Sequence, residues 1–163
     1  MIVKPELITG GKNMFLARRV RIWPHARMEC GIRPPYSGTI HIGEGTKIQM
    51  YFHCAAAVSV RIGEGVLIAG RVYISDHDHV WPGAGDEIIA APVEIGDQCW
   101  LGEGCAVLKG VVLGRNCIVG ANAVVTKSAP EGSMLVGVPA RIIKRYDKVS
   151  NTWQSANAPP TAP

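Results

Sequence analysis

Residues 95–130 read IGDQCW LGEGCA VLKGVV LGRNCI VGANAV VTKSAP. Written in sextets, every block opens on an aliphatic residue: Ile95, Leu101, Val107, Leu113, Val119 and Val125. Glycine follows in four of the six blocks, at Gly96, Gly102, Gly114 and Gly120. The fifth residue of each block is small or β-branched: Cys99, Cys105, Val111, Cys117, Ala123 and Ala129. A helix repeats every 3.6 residues and a two-faced strand every 2. A period of six suits a short strand plus a corner, with a large side chain pointing inward and a small one filling the corner.

Three such units close a triangular coil of 18 residues. Coils then stack ~4.8 Å apart through parallel backbone hydrogen bonds, and each buries its interior only by covering its neighbour. The glycine after the aliphatic residue is expected to give the corner backbone freedom. The pattern predicts an all-β fold, a left-handed parallel β-helix of about five coils, against the usual right-handed crossover rule.

Upstream the register returns in threes: Leu16, Ile22 and Met28; Ile42, Ile48 and Cys54; Ile62, Ile68 and Ile74. Val20, Ala26, Ile32, Thr46, Phe52, Val66 and Val72 take the corner-filling places. Breaks in the step mark where chain leaves the prism. Met28 to Ile42 is eight residues over a step, which makes Arg33–Gly38 a bulging loop. Cys54 to Ile62 carries a two-residue insertion. Ile74 to Ile95 is 15 over, so Ser75–Pro92 is a long excursion, and long loops in compact domains are usually functional or disordered. After Ala129-Pro130 the repeat stops. Ser133–Tyr146 reads as a closing strand, a turn and a short final element. Residues 1–146 are expected to form the β-helix domain, with the excursion at 75–92 carrying the active site. Residues 147–163 are expected to form a flexible tail.

Composition agrees. Val plus Ile number 33 against 7 Leu, which favours strands over a helical bundle. At 47% apolar residues the chain has enough to build a core, which excludes disorder over most of its length. The net charge of +4 is far below that of a nucleic-acid-coating protein. No apolar run approaches the ~18 residues of a membrane span. Met1–Phe15 has no apolar stretch of signal-peptide length. These features predict a cytoplasmic protein whose five cysteines are reduced thiols.

The long excursion opens with Asp76-His77-Asp78-His79. Imidazole titrates near neutral pH and can take up and return a proton, and an adjacent carboxylate fixes its tautomer. A solvated polar loop is the plainer reading. His-x-His also offers two metal ligands, with His53 or a neighbouring subunit's histidine as a third. Cys99, Cys105 and Cys117 read as compact hydrophobes in corners. Trp100 stands outward, either as cover for the loop or as a wall beside a ligand. Thr126, Lys127, Arg141, Lys144 and Arg145 read as a solvated face, or together as a phosphate-binding set.

The repeat, the Asp-His-Asp-His loop, Cys99-Trp100-Leu101-Gly102-Glu103, Val119-Gly120-Ala121-Asn122 and Val136-Gly137-Val138-Pro139-Ala140 occur in a familiar order. The chain resembles the hexapeptide-repeat acetyltransferases, most of all the O-acetyltransferases of bacterial surface-polysaccharide synthesis. Galactoside, maltose and Nod-factor acetyltransferases are related to these. The resemblance spans Ile40–Tyr146 well and Leu16–Arg33 weakly. It implies acetyl-CoA as co-substrate, a sugar hydroxyl as acceptor, and a homotrimer with each active site in a cleft between prisms. It implies His79 as the catalytic base, with His77 a second candidate, and no required metal. Either Asp76 or Asp78 orients the ring. Trp100 falls beside the thioester, Ala121, Thr126 and Lys127 along the coenzyme, and Arg141 and Lys144 at its phosphate end. Two departures concern the acceptor. Ala55-Ala56-Ala57 stands where galactoside-type enzymes carry a sugar-binding carboxylate, and Glu103 replaces a small hydroxyl residue. The other readings are N-acetylation of an amino sugar or other amine, a γ-carbonic-anhydrase-like metal enzyme, and an inactive scaffold prism.

Overall fold

A computed structural model describes residues 1–31, 36–80 and 87–156. The expectations for Ile32–Pro35, Trp81–Gly83 and the tail from 157 onward lie outside the described residues.

The chain is a left-handed parallel β-helix with three faces. On the first face, Met14–Leu16, Thr39–Ile42, Ser59–Ile62, Val93–Ile95 and Val112–Leu113 pair in parallel. The second carries Arg21–Ile22, Lys47–Ile48, Leu67–Ile68, Trp100–Leu101, Ile118–Val119 and Ser133–Gly137. The third carries Leu7–Thr9, Arg27–Cys30, His53–Ala56, Tyr73–Ser75, Ala106–Val107 and Val124–Val125.

The sextet openers fall into register as vertical columns. Leu16, Ile42, Ile62, Ile95 and Leu113 stack on the first face. Ile22, Ile48, Ile68, Leu101 and Val119 stack on the second, and Met28, Cys54, Ile74, Val107 and Val125 on the third. Together with the corner residues they form one continuous core. Burying each large aliphatic chain contributes about 1.5–3 kcal/mol. Leu16 is the exception and is exposed. The segment Ile2–Thr9 lies under the second and third faces of the first coil but leaves the first face uncovered. All five cysteines are buried free thiols, and burial pushes the Cys105 thiol up to about 12.

The glycines after the aliphatic openers are required for a different reason from the one expected. None of the four has a positive φ. A Cβ at Gly96 would sit 2.6 Å from the Arg115 backbone nitrogen, and one at Gly114 would sit 2.4 Å from that of Glu131. The constraint is the close approach of the next coil. The left-handed backbone falls two residues later, at Gln98, Gly104, Gly110, Asn116 and Asn122, where Gly and Asn carry the least strain.

The expected flexible tail is corrected in part. Ala140–Asp147 folds back antiparallel on Ser133–Gly137, and Thr152–Ser155 pairs antiparallel with Lys144–Asp147. Asp147 closes the last turn, accepting from the Val149 amide at 2.9 Å and from Ser150 Oγ and Gln154 Nε2 at 2.8 Å each. Tyr146 and Trp153 pack edge to face at 5.4 Å. These local bonds overcome the polar composition of the segment. No helix among the described residues is long and apolar enough to cross a membrane.

Thr46 fills a buried corner where apolar residues such as Val, Ala, Cys or Phe stand elsewhere. Its Oγ1 donates to the Gly63 carbonyl at 2.8 Å and accepts from the Val66 amide at 3.1 Å, so it bonds the next coil. Thr46→Val keeps the shape and strands both backbone groups. It should lower unfolding stability by about 1–3 kcal/mol, seen as a lower urea midpoint at unchanged slope.

Candidate active site

All three breaks in the sextet step lie at one corner, between the third face and the first, on successive coils. They convert a plain edge into a cavity. The shortest break, the two-residue insertion, exposes the amides of Ala57, Val58 and Ser59. All three donate to the Asp76 carboxylate at 2.7 Å. Asp76 is fully buried, and this cradle is what satisfies its charge.

Asp76 also bonds His77, its Oδ1 standing 2.9 Å from Nδ1. A carboxylate can only accept, so the bond holds the ring proton on Nδ1 and leaves the lone pair on Nε2. The His77 side chain is 10% exposed. Its amide and carbonyl are both tied to Ser75 Oγ, at 3.3 and 2.8 Å.

His79 is placed differently. The stretch expected as a loop is an antiparallel hairpin, His77–His79 against Ile88–Ala90. Alternation along that strand puts His77 and His79 on one side and Asp78 on the other. Asp78 forms an ion pair with Lys109 instead of orienting either ring. His79 is exposed, and its ring lies edge-on to His77 with centroids 6.1 Å apart.

Both rings line one cavity of about 290 Å³, at the small end for ligand sites. The rest of its wall includes Arg27 and Glu29 two coils below, His53 one coil below and Tyr73 on the same coil. Sequence reasoning missed these four as a group. They are the outward neighbours of Met28, Cys54 and Ile74, so aligning those column members would have revealed them. The unequal breaks, 26 and then 20 residues between column members, hide the alignment from a fixed step.

Trp100, Ala121, Thr126, Lys127, Arg141 and Lys144 do not line this cavity. Trp100 is 53% exposed and borders a separate cleft of about 600 Å³ with Ile118, Tyr146 and Trp153. Ala121, Thr126 and Lys127 are exposed on corners of the last coil, and Arg141 and Lys144 are exposed on the returning strand. Among the described residues, no group of three or more His, Cys, Asp or Glu is placed to hold a metal ion.

A family model described as bacterial transferase hexapeptide (six repeats) matches residues 92–127. WbbJ of Escherichia coli (strain K12), whose name assigns it to lipopolysaccharide biosynthesis as an O-acetyl transferase, is 37% identical over 131 residues, covering 73% of this chain and 67% of WbbJ. The chain belongs to the hexapeptide-repeat acetyltransferases. Two solved members share the fold. The maltose O-acetyltransferase from Clostridium difficile 630 aligns with a TM-score of 0.71 at 26% identity, covering 85% of this chain and 73% of that one. A hexapeptide-repeat acetyltransferase from Vibrio cholerae, complexed with acetyl coenzyme A, aligns at 0.72 and 25%, covering 85% and 75%.

Asp76→Asn removes the charge from the amide cradle and turns one acceptor into a donor facing N–H groups. Stability should fall by about 1.5–3 kcal/mol, measured by chemical denaturation. Transfer activity should fall as well, through loss of the His77 orientation.

Proposed function

We propose that the protein transfers an acetyl group from acetyl-CoA directly to a sugar hydroxyl, with His77 as general base. The buried Asp76–His77 pair carries this reading. Among the described residues, His77 is the cavity imidazole held closest to a carboxylate, at 2.9 Å against 3.5 Å for His53, and it replaces His79 as the first candidate for that reason.

In the proposed reaction His77 Nε2 takes the hydroxyl proton as the oxygen attacks the thioester carbonyl. A tetrahedral intermediate forms and collapses, breaking the carbon–sulfur bond. The imidazolium returns its proton to the departing thiolate. No acyl-enzyme is needed, and holding both substrates together supplies much of the acceleration.

The donor side supports a threefold assembly. The tryptophan and the basic residues expected to hold the coenzyme lie outside the histidine cavity of their own chain. An adjoining prism would present its Trp100, Thr126, Lys127, Arg141 and Lys144 across the cleft. The acetyl-CoA complex of the Vibrio cholerae relative supports the donor, and the name of WbbJ supports a surface saccharide as acceptor. We take the reaction to run in the cytoplasm, where acetyl-CoA is available.

His77→Ala should reduce acceptor-dependent coenzyme A release by about 10²–10⁴-fold, while calorimetry shows coenzyme A still bound. His79→Ala should cost much less. The reverse pattern would return the base to His79, and full activity in both variants would refute histidine catalysis at this cavity.

A further inference from the structure

We infer that the Arg27–Glu29 pair recognises two neighbouring hydroxyls of a neutral saccharide acceptor, making Glu29 a specificity-determining residue. This rests on the reading of His77 as the base.

The position follows from the register. Glu29, Ala55 and Ser75 are paired across three successive coils of the third face, and His77 follows two residues after Ser75. Ala55, the residue in register between Glu29 and the coil that carries His77, contributes only a methyl group and lines the same cavity. A small residue there opens a notch, so a carboxylate from two coils below faces the space beside His77. Arg27, His53 and Tyr73 form the parallel outward column beside it.

The carboxylate is fixed in place. Arg27 Nε donates to Glu29 Oε2 at 2.7 Å, and His53 Nε2 stands 3.5 Å from the same oxygen. The Glu29 side chain is 18% exposed. The Arg27 hydrogen bond holds its carboxyl below the usual carboxylate range, so it is an acceptor at neutral pH. His53 Nε2 is buried and makes no hydrogen bond among the described residues. Tyr73 packs edge-on against His53 at 5.1 Å and offers an apolar flank.

This pairing selects a chemistry. A guanidinium bonded through Nε keeps its terminal N–H donors, and a carboxylate keeps lone pairs. Side by side they present donors and acceptors together. A vicinal diol is the complement, because each hydroxyl both donates and accepts. The paired charges balance, so the site offers no net attraction to an anionic or a cationic acceptor group. One hydroxyl bound here leaves another on the same ring facing His77 Nε2 across the notch.

The test uses full-length protein, acetyl-CoA, and maltose and methyl galactoside as acceptor probes. Glu29→Gln should raise KM for the saccharide about 10–100-fold, with a much smaller change in kcat and none in KM for acetyl-CoA. Ala55→Leu, which fills the notch and touches no charge, should raise the same KM. Monodeoxy analogues separate recognition from structure. The penalty for the missing hydroxyl in wild type should vanish in Glu29→Gln, as a coupled pair requires. An unchanged KM, or a deoxy penalty that persists in Glu29→Gln, overturns the inference. Wild type that transfers to neither probe overturns the neutral-saccharide class. If His77→Ala retains full coenzyme release, the catalytic reading fails instead.

Discussion

Each coil of this protein is held by the coil on either side of it. A single triangular turn has no internal ladder beyond short bonds at some corners, so most of its N–H and C=O groups find partners along the stacking direction. Two demands follow for the sequence. Inward positions must carry aliphatic or small side chains, because the prism interior is narrow. The residue entering each corner must lack a Cβ wherever the next coil passes too close, as at Gly96 and Gly114. The sextet pattern records both demands at once.

The same constraint decides where chemistry can reside. A face cannot admit a polar insertion without breaking its ladder, whereas a corner can lengthen. All three lengthened corners lie between the third and first faces, stacked on consecutive coils. The middle one frees three amides, and these neutralise a carboxylate that would otherwise be too costly to bury. That carboxylate orients His77. The candidate site is therefore built from departures from the repeat, on a frame that the repeat supplies.

Much of the frame was legible in the sequence. The inward columns follow from counting in sixes, and the breaks in the count mark the corner where the histidine cavity lies. Other features depend on geometry that a linear count does not contain. Spacing cannot say whether Asp76 or Asp78 turns inward. Strand alternation and the amide cradle decide it, sending Asp78 to Lys109. The wall of Arg27, Glu29, His53 and Tyr73 becomes visible only after unequal insertions are removed. The strand Thr152–Ser155 was hidden by its polar composition, although Asp147, Tyr146 and Trp153 carry the signals that fix it. The corner glycines are legible as part of the repeat, but it is steric approach rather than φ that demands them.

The reversal of direction at the C-terminal end has a consequence for solubility. A parallel stack has open ends, and an open end is a template on which another molecule could continue. Ala140–Asp147 runs antiparallel to Ser133–Gly137, Thr152–Ser155 runs antiparallel to Ala140–Asp147, and the two are stitched by a charged and aromatic turn. Ala140–Asp147 is the strand of reversed polarity, and Thr152–Ser155, reversed again, covers its outer edge. On that face the open edge of the stack is thus handed to a single four-residue strand, and so short an edge is a poor template for further pairing.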